Sequence, residues 1–310
     1  MLDSGFKSLR DRQKNMEYNK KIFWISSYPK SGNTWLRLIL CGLFYTKNGI
    51  LDDFKILKKI PKFDIIENFN FIKDFSKKDF NLIFNKDEYD DESVITYSKY
   101  WIEAQKRKEI ISGNFSFFKT HNARAKINSN FYTNSETTLG FIYISRDPRD
   151  IAISYANHMQ SDLDFVVDYL VDGQIMGRDK TRLFMPEITL NWGDNYLSWK
   201  KFSDVPSLFL KYENLLHDPH KEISKISDFF MKKFNIFIDN EKEKIKNIIK
   251  TTNFNNLKRK EKEKGFHENK KSSSFFRIGK KQQWKNKLSN SQIKKINDKF
   301  KDIMKDLKYL

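Results

Sequence analysis

KIFWISSYPKSGNTWLRLILCGLF, residues 21 to 44, joins a short apolar run to an apolar helix through a turn that contains lysine, serine and glycine. Ile22 to Ile25 predict a buried central strand, and apolar residues recur at helical spacing from Leu36 onward. Gly32 lets backbone N–H groups approach a ligand, the helix N-terminus adds partial positive charge, and Lys30 adds a full one. This arrangement predicts a phosphate or sulfate site. The residues whose backbone groups are expected to face the anion are Ser31, Gly32, Asn33 and Thr34.

The turn differs from the Walker A loop of nucleotide-binding proteins. The pattern GxxxxGK[ST] places lysine after its second glycine, whereas Lys30 precedes Gly32, so an ordinary ATPase is disfavoured. The segment YPKSGNTW instead resembles the 5′-phosphosulfate-binding loop of the cytosolic-type sulfotransferases, which transfer a sulfuryl group from 3′-phosphoadenosine 5′-phosphosulfate (PAPS). A simple helix N-cap is the alternative interpretation, because Ser or Asn often precedes an apolar helix.

Length and composition set the broad class. The chain has 310 residues, enough for a sizeable core, and the resemblance implies one sulfotransferase domain over residues 1–310. Within it we expect an acceptor-side helical region at about 52–108 and a lid or insertion at about 160–186. Cys41 is the only cysteine, so an intrachain disulfide is excluded, and a core position in a reducing compartment is expected. The first 21 residues lack a secretory apolar segment, and no apolar run reaches membrane-spanning length, which predicts a soluble cytoplasmic protein.

The main alternative function is a P-loop kinase-like nucleotide-dependent transferase. The net charge of +18 raises a distant alternative, a basic protein that binds nucleic acid. The lysines are scattered among Asn, Ile and Phe, however, and no specific nucleic-acid partner is expected. They are densest between Lys242 and Lys271, a segment that we interpret as solvated.

Further strands are predicted at 114–121, 140–145 and 207–215, each at a distance from the next that leaves room for helices. Asp147 and Pro148 are typical of the N-cap and first residue of a helix. Strands that alternate with helices predict an α/β fold with a parallel sheet between two helical layers, and the resemblance implies the P-loop NTPase-like sulfotransferase fold. The aromatic stripe of Trp192, Tyr196 and Trp199 is assigned to packing.

Polar residues collect where the predicted strands end. In an open α/β sheet, ligands bind beyond the carboxyl ends of the strands, so these residues are expected to meet at one edge. They are Lys30, Lys119, His121, Arg146 and Tyr212. The segment SRDPRDIAISY resembles the family's 3′-phosphate-binding segment, which implies that Arg146 and Ser154 bind the 3′-phosphate. From local sequence alone, an ion pair of Arg146 with Asp147 or Asp150 is equally consistent.

FFRIGKKQQWKN, residues 275–286, resembles the family's RxGxxGxWK region. The resemblance implies that Arg277 and the Gly279 amide help to hold the 3′-phosphate, whereas a solvated basic loop is the alternative. Gln282 replaces the last glycine of the pattern, and Gln283 stands where an acidic residue is frequent. The backbone of this loop is therefore expected to differ from that of the family.

His121 follows Lys119 and Thr120 at the end of FSFFKTH. A pKa near neutrality suits proton removal from an acceptor, although a lone histidine is often a surface or core residue. In the family, the histidine of the corresponding Lys-Thr-His segment is the catalytic base, which makes His121 the candidate base here. The resemblance further implies that Lys30 stabilises the departing 5′-phosphate oxygen and that Lys119 assists at the sulfuryl group.

Trp35 and Tyr212 are expected to border the adenine, because the family uses aromatic residues at both places. No cluster of His, Cys, Asp or Glu has metal-ligand spacing, so no metal is expected. The expected partner is a small-molecule hydroxyl or amine acceptor. Its identity and the oligomeric state do not follow from the sequence.

Overall fold

The computed structural model describes residues 21–85, 89–108, 115–176, 183–268 and 274–310. Its main sheet has four strands: β1 (Lys21–Ser26), β2 (Phe115–Thr120), β5 (Thr138–Ser145) and β8 (Ser207–Lys211). Their order is β2-β1-β5-β8 and every pairing is parallel, which confirms the predicted α/β sheet. Two small antiparallel pairs are β3 (Lys126–Ile127) with β4 (Asn130–Phe131), and β6 (Gln174–Met176) with β7 (Glu187–Leu190).

The helices follow in chain order. The first group is α1 (Asn33–Tyr45), α2 (Ile72–Phe75), α3 (Lys77–Phe84), α4 (Asp91–Ser98), α5 (Trp101–Lys106), α6 (Pro148–Met159) and α7 (Leu163–Asp172). The second group is α8 (Trp192–Lys200), α9 (Tyr212–His217), α10 (Pro219–Phe234), α11 (Glu241–Thr252), α12 (Phe254–Lys264) and α13 (Asn290–Asp306). Short 3₁₀ helices cover Lys55–Lys59, Ile66–Asn68 and Gln283–Asn286. No helix among these described segments is long and apolar enough to cross a membrane.

Strand β1 shows how the sheet is covered on both faces. Successive side chains of a strand point to opposite faces. Phe23 and Ile25 therefore join a core cluster with residues of α1, α10 and α11, whereas Trp24 joins a second cluster on the other face with Phe63 and Trp101. Strand β5 is buried at every residue, as expected for a central parallel strand. The result is the predicted arrangement of a sheet between two helical layers.

The aromatic stripe of α8 lies inside the protein. Trp192, Tyr196 and Trp199 are all buried, which confirms their assignment to packing. Cys41 is also buried, in α1, and burial raises the pKa of its thiol to about 12. Such a thiol stays protonated at neutral pH and behaves as an apolar core group.

One expectation about secondary structure is wrong. The strand predicted over 207–215 ends at Lys211, and Tyr212 begins α9 because Leu215 turns into the core beside α10. The basic segment from Lys242 is helical as far as Lys264, with apolar residues such as Ile248 buried against the core, and most of its lysines are exposed, as expected of a solvated segment.

Some expectations fall outside the described residues. The interpretation of the N-terminus concerns residues 1–20, and parts of the 160–186 insertion (177–182), of the basic segment (269–271) and of the second strand (residue 114) are likewise not described. In the described part of the insertion, residues 163–172 form α7 and 174–176 form β6. The region 52–108 contains the short helices that its pattern predicts.

Candidate active site

The turn between β1 and α1 leaves polar groups for a ligand. Gly32 is the N-cap residue of α1 and has no side chain that could cap the helix. Capping by a Ser or Asn side chain therefore does not explain the sequence of this turn. The Asn33 side chain instead donates to the Ile25 carbonyl (3.1 Å) and to Ser27 Oγ (3.2 Å). Ser31 Oγ is buried and has no partner among the described residues. Because the first N–H groups of a helix lack intrahelical partners, the turn presents a set of donors.

Gly32 is required at its position for two reasons. Its φ of +102° lies in a region that side-chain-bearing residues rarely adopt. A Cβ atom there would also lie 2.8 Å from Cδ2 of Tyr212. The glycine therefore brings the backbone of the turn directly against the Tyr212 ring.

One cavity of about 840 Å³ lies at the carboxyl edge of the sheet. It opens where the turn after β1 faces the turn after β5, the place at which ligands bind in sheets of this kind. The expected site residues that line it are Lys30, Gly32, Asn33, Thr34, Trp35, Lys119, His121, Arg146, Ser154, Tyr212, Arg277 and Gly279. Ser31 lies within the same turn and is fully buried.

Arg146 connects three parts of the cavity wall. Its Nη1 donates to the Lys30 carbonyl (3.2 Å) and its Nη2 to the Lys280 carbonyl (3.4 Å), and the guanidinium lies 4.4 Å from the centre of the Tyr212 ring. Its Nε is buried and has no partner among the described residues. The ion pair with Asp147 is made by Arg149 instead (2.8 Å). Arg146 thus connects the turn after β1 to the C-terminal loop, and its Nε is a donor that a ligand could use.

The C-terminal loop is held by Asp150, a residue that the sequence analysis assigned only as a partner for Arg146. The Asp150 carboxylate accepts the backbone N–H of Gln282 (2.7 Å) and of Trp284 (3.1 Å). Gln282 has a φ of +59°, the left-handed conformation that a glycine adopts easily. Gln282 therefore takes a glycine-like conformation, and the expected difference from the family's loop backbone stays a prediction. Gly279 also has a positive φ, of +63°, and Phe254 leaves no room for a Cβ there.

Two contacts to Ser27 orient the His121 ring. Its Nδ1 lies 2.9 Å from the Ser27 carbonyl and 3.2 Å from Ser27 Oγ, and the carbonyl, which can only accept a hydrogen bond, favours the tautomer with the proton on Nδ1. The other ring nitrogen, Nε2, is then the proton acceptor. Burial lowers the pKa of the imidazole, Glu187 raises it and Lys119 lowers it, and the resulting pKa is about 4. The ring is therefore neutral at pH 7, as a general base must be.

Charged groups that the sequence analysis did not identify surround His121. Lys62 donates to Glu187 (2.8 Å), and Glu187 also accepts the backbone N–H of His121 (3.0 Å). Lys119 lies 4.0 Å from Glu268, and burial lowers the pKa of the Lys119 ammonium. Neither Lys62 nor the two glutamates lie in a recognisable motif, so no local signal marks them.

Lys30 and the two aromatic candidates complete the cavity wall. Lys30 Nζ lies 4.4 Å from the centre of the Phe275 ring. The Trp35 and Tyr212 rings meet edge to face with 5.8 Å between their centroids, and Trp35 Nε1 donates to Thr252 Oγ1 (3.2 Å). Both rings present apolar surface to the cavity. Among the described residues, no group of three or more His, Cys, Asp or Glu side chains could hold a metal ion.

Comparison with known proteins identifies the family. Residues 20–308 match the profile of the sulfotransferase domain, so the chain belongs to the sulfotransferase family and is a sulfotransferase enzyme. The chain is similar to flavonol 3-sulfotransferase of Flaveria bidentis, with 25% identity over 88% of this chain and 78% of that protein. It is also similar to the amine sulfotransferase of Oryctolagus cuniculus, with 21% identity over 91% of this chain and 80% of that protein. The expected family is thereby confirmed.

A solved structure supports the fold. The crystal structure of retinol dehydratase in complex with androsterone and the inactive cofactor PAP superposes with a TM-score of 0.58. The two sequences are 20% identical, and the superposition covers 95% of this chain and 84% of the retinol dehydratase chain. At this identity the similarity shows that the two proteins share a fold.

Proposed function

We propose that this protein transfers a sulfuryl group from PAPS to a hydroxyl or amine group of a small-molecule acceptor. The observation that carries the proposal is the meeting of the Lys30 turn with Arg146 at one cavity, joined by a hydrogen bond of 3.2 Å. Two buried donors there, Ser31 Oγ and Arg146 Nε, have no partner among the described residues. Buried polar groups are normally hydrogen-bonded, so these donors fit a ligand that supplies anionic oxygens.

The cavity wall fits an adenosine carrier with a charged group at each end. Lys30 and the amides from Ser31 to Thr34 are proposed to bind the 5′ end, where a helix N-terminus favours negative charge. Trp35 and Tyr212 offer apolar faces for the adenine. The groups proposed to bind the 3′-phosphate are Arg146, Ser154, Arg277 and the Gly279 amide.

The proposed chemistry divides the work among three side chains. When bound, PAPS supplies the activated sulfuryl group and departs as 3′,5′-phosphoadenosine (PAP). His121 takes the proton of the acceptor at Nε2, so that the acceptor atom can form its bond to sulfur. Lys30 stabilises the negative charge that collects on the 5′-phosphate oxygen as the old S–O bond breaks. Lys119 lines the same cavity and stabilises charge on the sulfuryl oxygens.

The first experiment separates catalysis from binding. His121→Ala is expected to abolish sulfuryl transfer, measured with labelled PAPS, and to leave the Kd of PAP nearly unchanged. His220→Ala is the matched control, since His220 is exposed on α10. Turnover by His121→Ala close to that of the control removes His121 from the role of base.

A second experiment separates the rival functions. A P-loop kinase-like enzyme should bind ATP at least as well as PAP in a competition titration, whereas a sulfotransferase requires a strong preference for PAP. A nucleic-acid-binding protein should lose affinity steeply with added salt and should retain it when Lys30 is replaced. The lysines of α11 and α12 belong to helices of the fold. The basic segment therefore has a structural role that needs no nucleic-acid partner.

The acceptor site is proposed to lie beside His121, where Pro61, Ile65 and Phe184 supply apolar wall. An apolar or ring-shaped acceptor fits such a wall. A screen of phenols, sterols, flavonoids and amines with labelled PAPS tests this, and transfer confined to highly charged sugars would contradict it. We further propose that the chain forms a single domain, acts in the cytoplasm and is a bacterial-type member of the family.

A further inference from the structure

Glu187 is a buried carboxylate behind the candidate base. It is the first residue of β7, is 2% exposed and lies outside the cavity wall. Its Oε1 accepts the backbone N–H of His121 (3.0 Å) and its Oε2 accepts Lys62 Nζ (2.8 Å). Burying a carboxylate is costly unless it is paired and hydrogen-bonded, and here one carboxylate serves two groups of the active site.

The segment after β2 is fixed at several points, of which Glu187 is the charged one. Asn195 Nδ2 donates to the His121 carbonyl (3.0 Å). The next residue, Asn122, accepts the Ile188 N–H at its Oδ1 (2.6 Å). Together with the bond from the imidazole to the Ser27 carbonyl, these contacts fix the main chain and the ring at His121. Loss of the Glu187 contact removes the anchor on the N–H side of that residue.

The charges that face His121 come from three segments. Lys119 lies on β2, and Lys62 lies on the chain that pairs beside β2. Both cations make a protonated imidazole less favourable, and Glu187 on β7 makes it more favourable. Without Glu187, Lys62 and Lys119 would face the ring, and the carboxylates that remain near them are Glu268, 4.0 Å from Lys119, and the buried Asp64 beside Lys62. Ser27 also contacts the ring, through its backbone carbonyl (2.9 Å) and its Oγ (3.2 Å).

We propose that Glu187 is a positioning residue for sulfuryl transfer, which anchors the main chain at His121 and offsets Lys62 and Lys119 so that the ring can accept a proton. The inference rests on the proposed role of His121 as base. Glu187 acts through His121 and Lys62 and does not itself touch the reacting groups.

The test compares three variants. Glu187→Gln keeps an oxygen for the His121 N–H but loses the charge, whereas Glu187→Ala loses both. Glu222→Gln is the matched control, because Glu222 on α10 is also buried and paired with a lysine, Lys225, but does not itself line the cavity and makes no contact with His121. Each protein is labelled with ¹⁵N-histidine, and ring signals at neutral pH report the tautomer of His121, with His121→Ala used for assignment.

Both variants should bind PAP as the unsubstituted protein does. Glu187→Ala is expected to mix the two tautomers of His121 and to lower kcat at least about tenfold, since misplaced catalytic groups lose rate steeply. Glu187→Gln should retain the Nδ1–H tautomer but move the acid limb of the kcat profile to lower pH, because the imidazole binds a proton less readily. A merely structural role would not move that limb.

The inference is overturned if Glu187→Gln and Glu187→Ala give the kcat, acid limb and tautomer of the unsubstituted protein, or if Glu222→Gln loses as much kcat. Failure of the proposed function is a different result: the unsubstituted protein then transfers no sulfuryl group to any acceptor. In that case the tautomer of His121 in the Glu187 variants still decides whether Glu187 positions the ring.

Discussion

Replacing Arg146 by methionine tests the 3′-phosphate site. The change removes the guanidinium and keeps an unbranched side chain. Two N–H groups of Arg146 already bond to the carbonyls of Lys30 and Lys280, while Nε remains without a partner among the described residues. A phosphate group would therefore gain one or two charge-assisted hydrogen bonds from a side chain that is only 7% exposed. A hydrogen bond to a charged group contributes about 1.5–3 kcal/mol, so the loss of one weakens binding about 10- to 150-fold.

Isothermal titration of PAP into the purified variants measures this effect. Arg146→Lys should give an intermediate Kd, because lysine keeps the charge but loses the planar fork. Arg149→Met is the matched control. The Arg149 guanidinium pairs with Asp147 and donates to the Tyr309 carbonyl, so its loss should lower the melting temperature with little change in the Kd. A Kd for Arg146→Met within about twofold of the unsubstituted protein would refute the assignment, since that corresponds to less than one such bond.

Two further predictions concern the C-terminal loop and a buried acid. Gln282→Gly should leave the Kd of PAP unchanged, because the backbone N–H to Asp150 and the positive φ both persist. Gln282→Pro should weaken binding, because proline removes that N–H and cannot adopt a positive φ; equal loss in both would assign the effect to the side chain. Burial and the charge of Glu187 raise the pKa of Asp64 from 3.8 to about 7, so its stabilising contribution is complete below about pH 4 and is lost as pH rises through 7. The melting temperature of the unsubstituted protein should therefore fall more between pH 5 and 8 than that of Asp64→Asn, and parallel curves would contradict this.

The parts of the site that are local in sequence could be predicted. The turn around Gly32 and the start of α6 at Asp147 and Pro148 each depend on a few consecutive residues, and Asp147 does accept the N–H of Arg149 as an N-cap. The strand ends could be matched because parallel strands place their carboxyl ends on one edge. By contrast, the boundary at Tyr212 was wrong, because an apolar run does not by itself distinguish the end of a strand from the first turn of a helix.

The charged groups behind His121 could not be predicted. Glu187 lies 66 residues from His121 and 125 residues from Lys62 in sequence. These contacts depend on how β7 and the chain before β2 pack against the sheet, and neither segment carries a pattern that specifies its neighbours. An acidic residue at the start of a short strand is ordinarily solvated. Only the burial of this carboxylate and its two donors indicate another role.

Gln282 stands where the family pattern has a glycine, so its conformation needs a physical reason. Glycine in the family pattern suggests a need for positive φ, and the structure has that conformation at Gln282. A left-handed conformation costs a non-glycine residue about 1–2 kcal/mol. The hydrogen bond from Gln282 to the Asp150 carboxylate offsets a cost of this size, since bonds to charged groups contribute about 1.5–3 kcal/mol. The conformation of the loop thus depends on Asp150 as well as on the residue at position 282.

Net charge alone did not distinguish a nucleic-acid surface from an anion pocket, but burial does. Exposed lysines interact weakly with ligands beyond about 10 Å because salt screens them. A buried cation is costly unless an opposite charge or strong acceptors compensate it. Arg146 is buried, and Asp150 and Glu213 lie near enough to interact with it electrostatically, but its hydrogen bonds within the described structure reach only main-chain carbonyls, beside the Lys30 turn. The proposed anionic ligand would meet this guanidinium directly, so the buried arginine supports the proposal more specifically than the overall charge of +18 does.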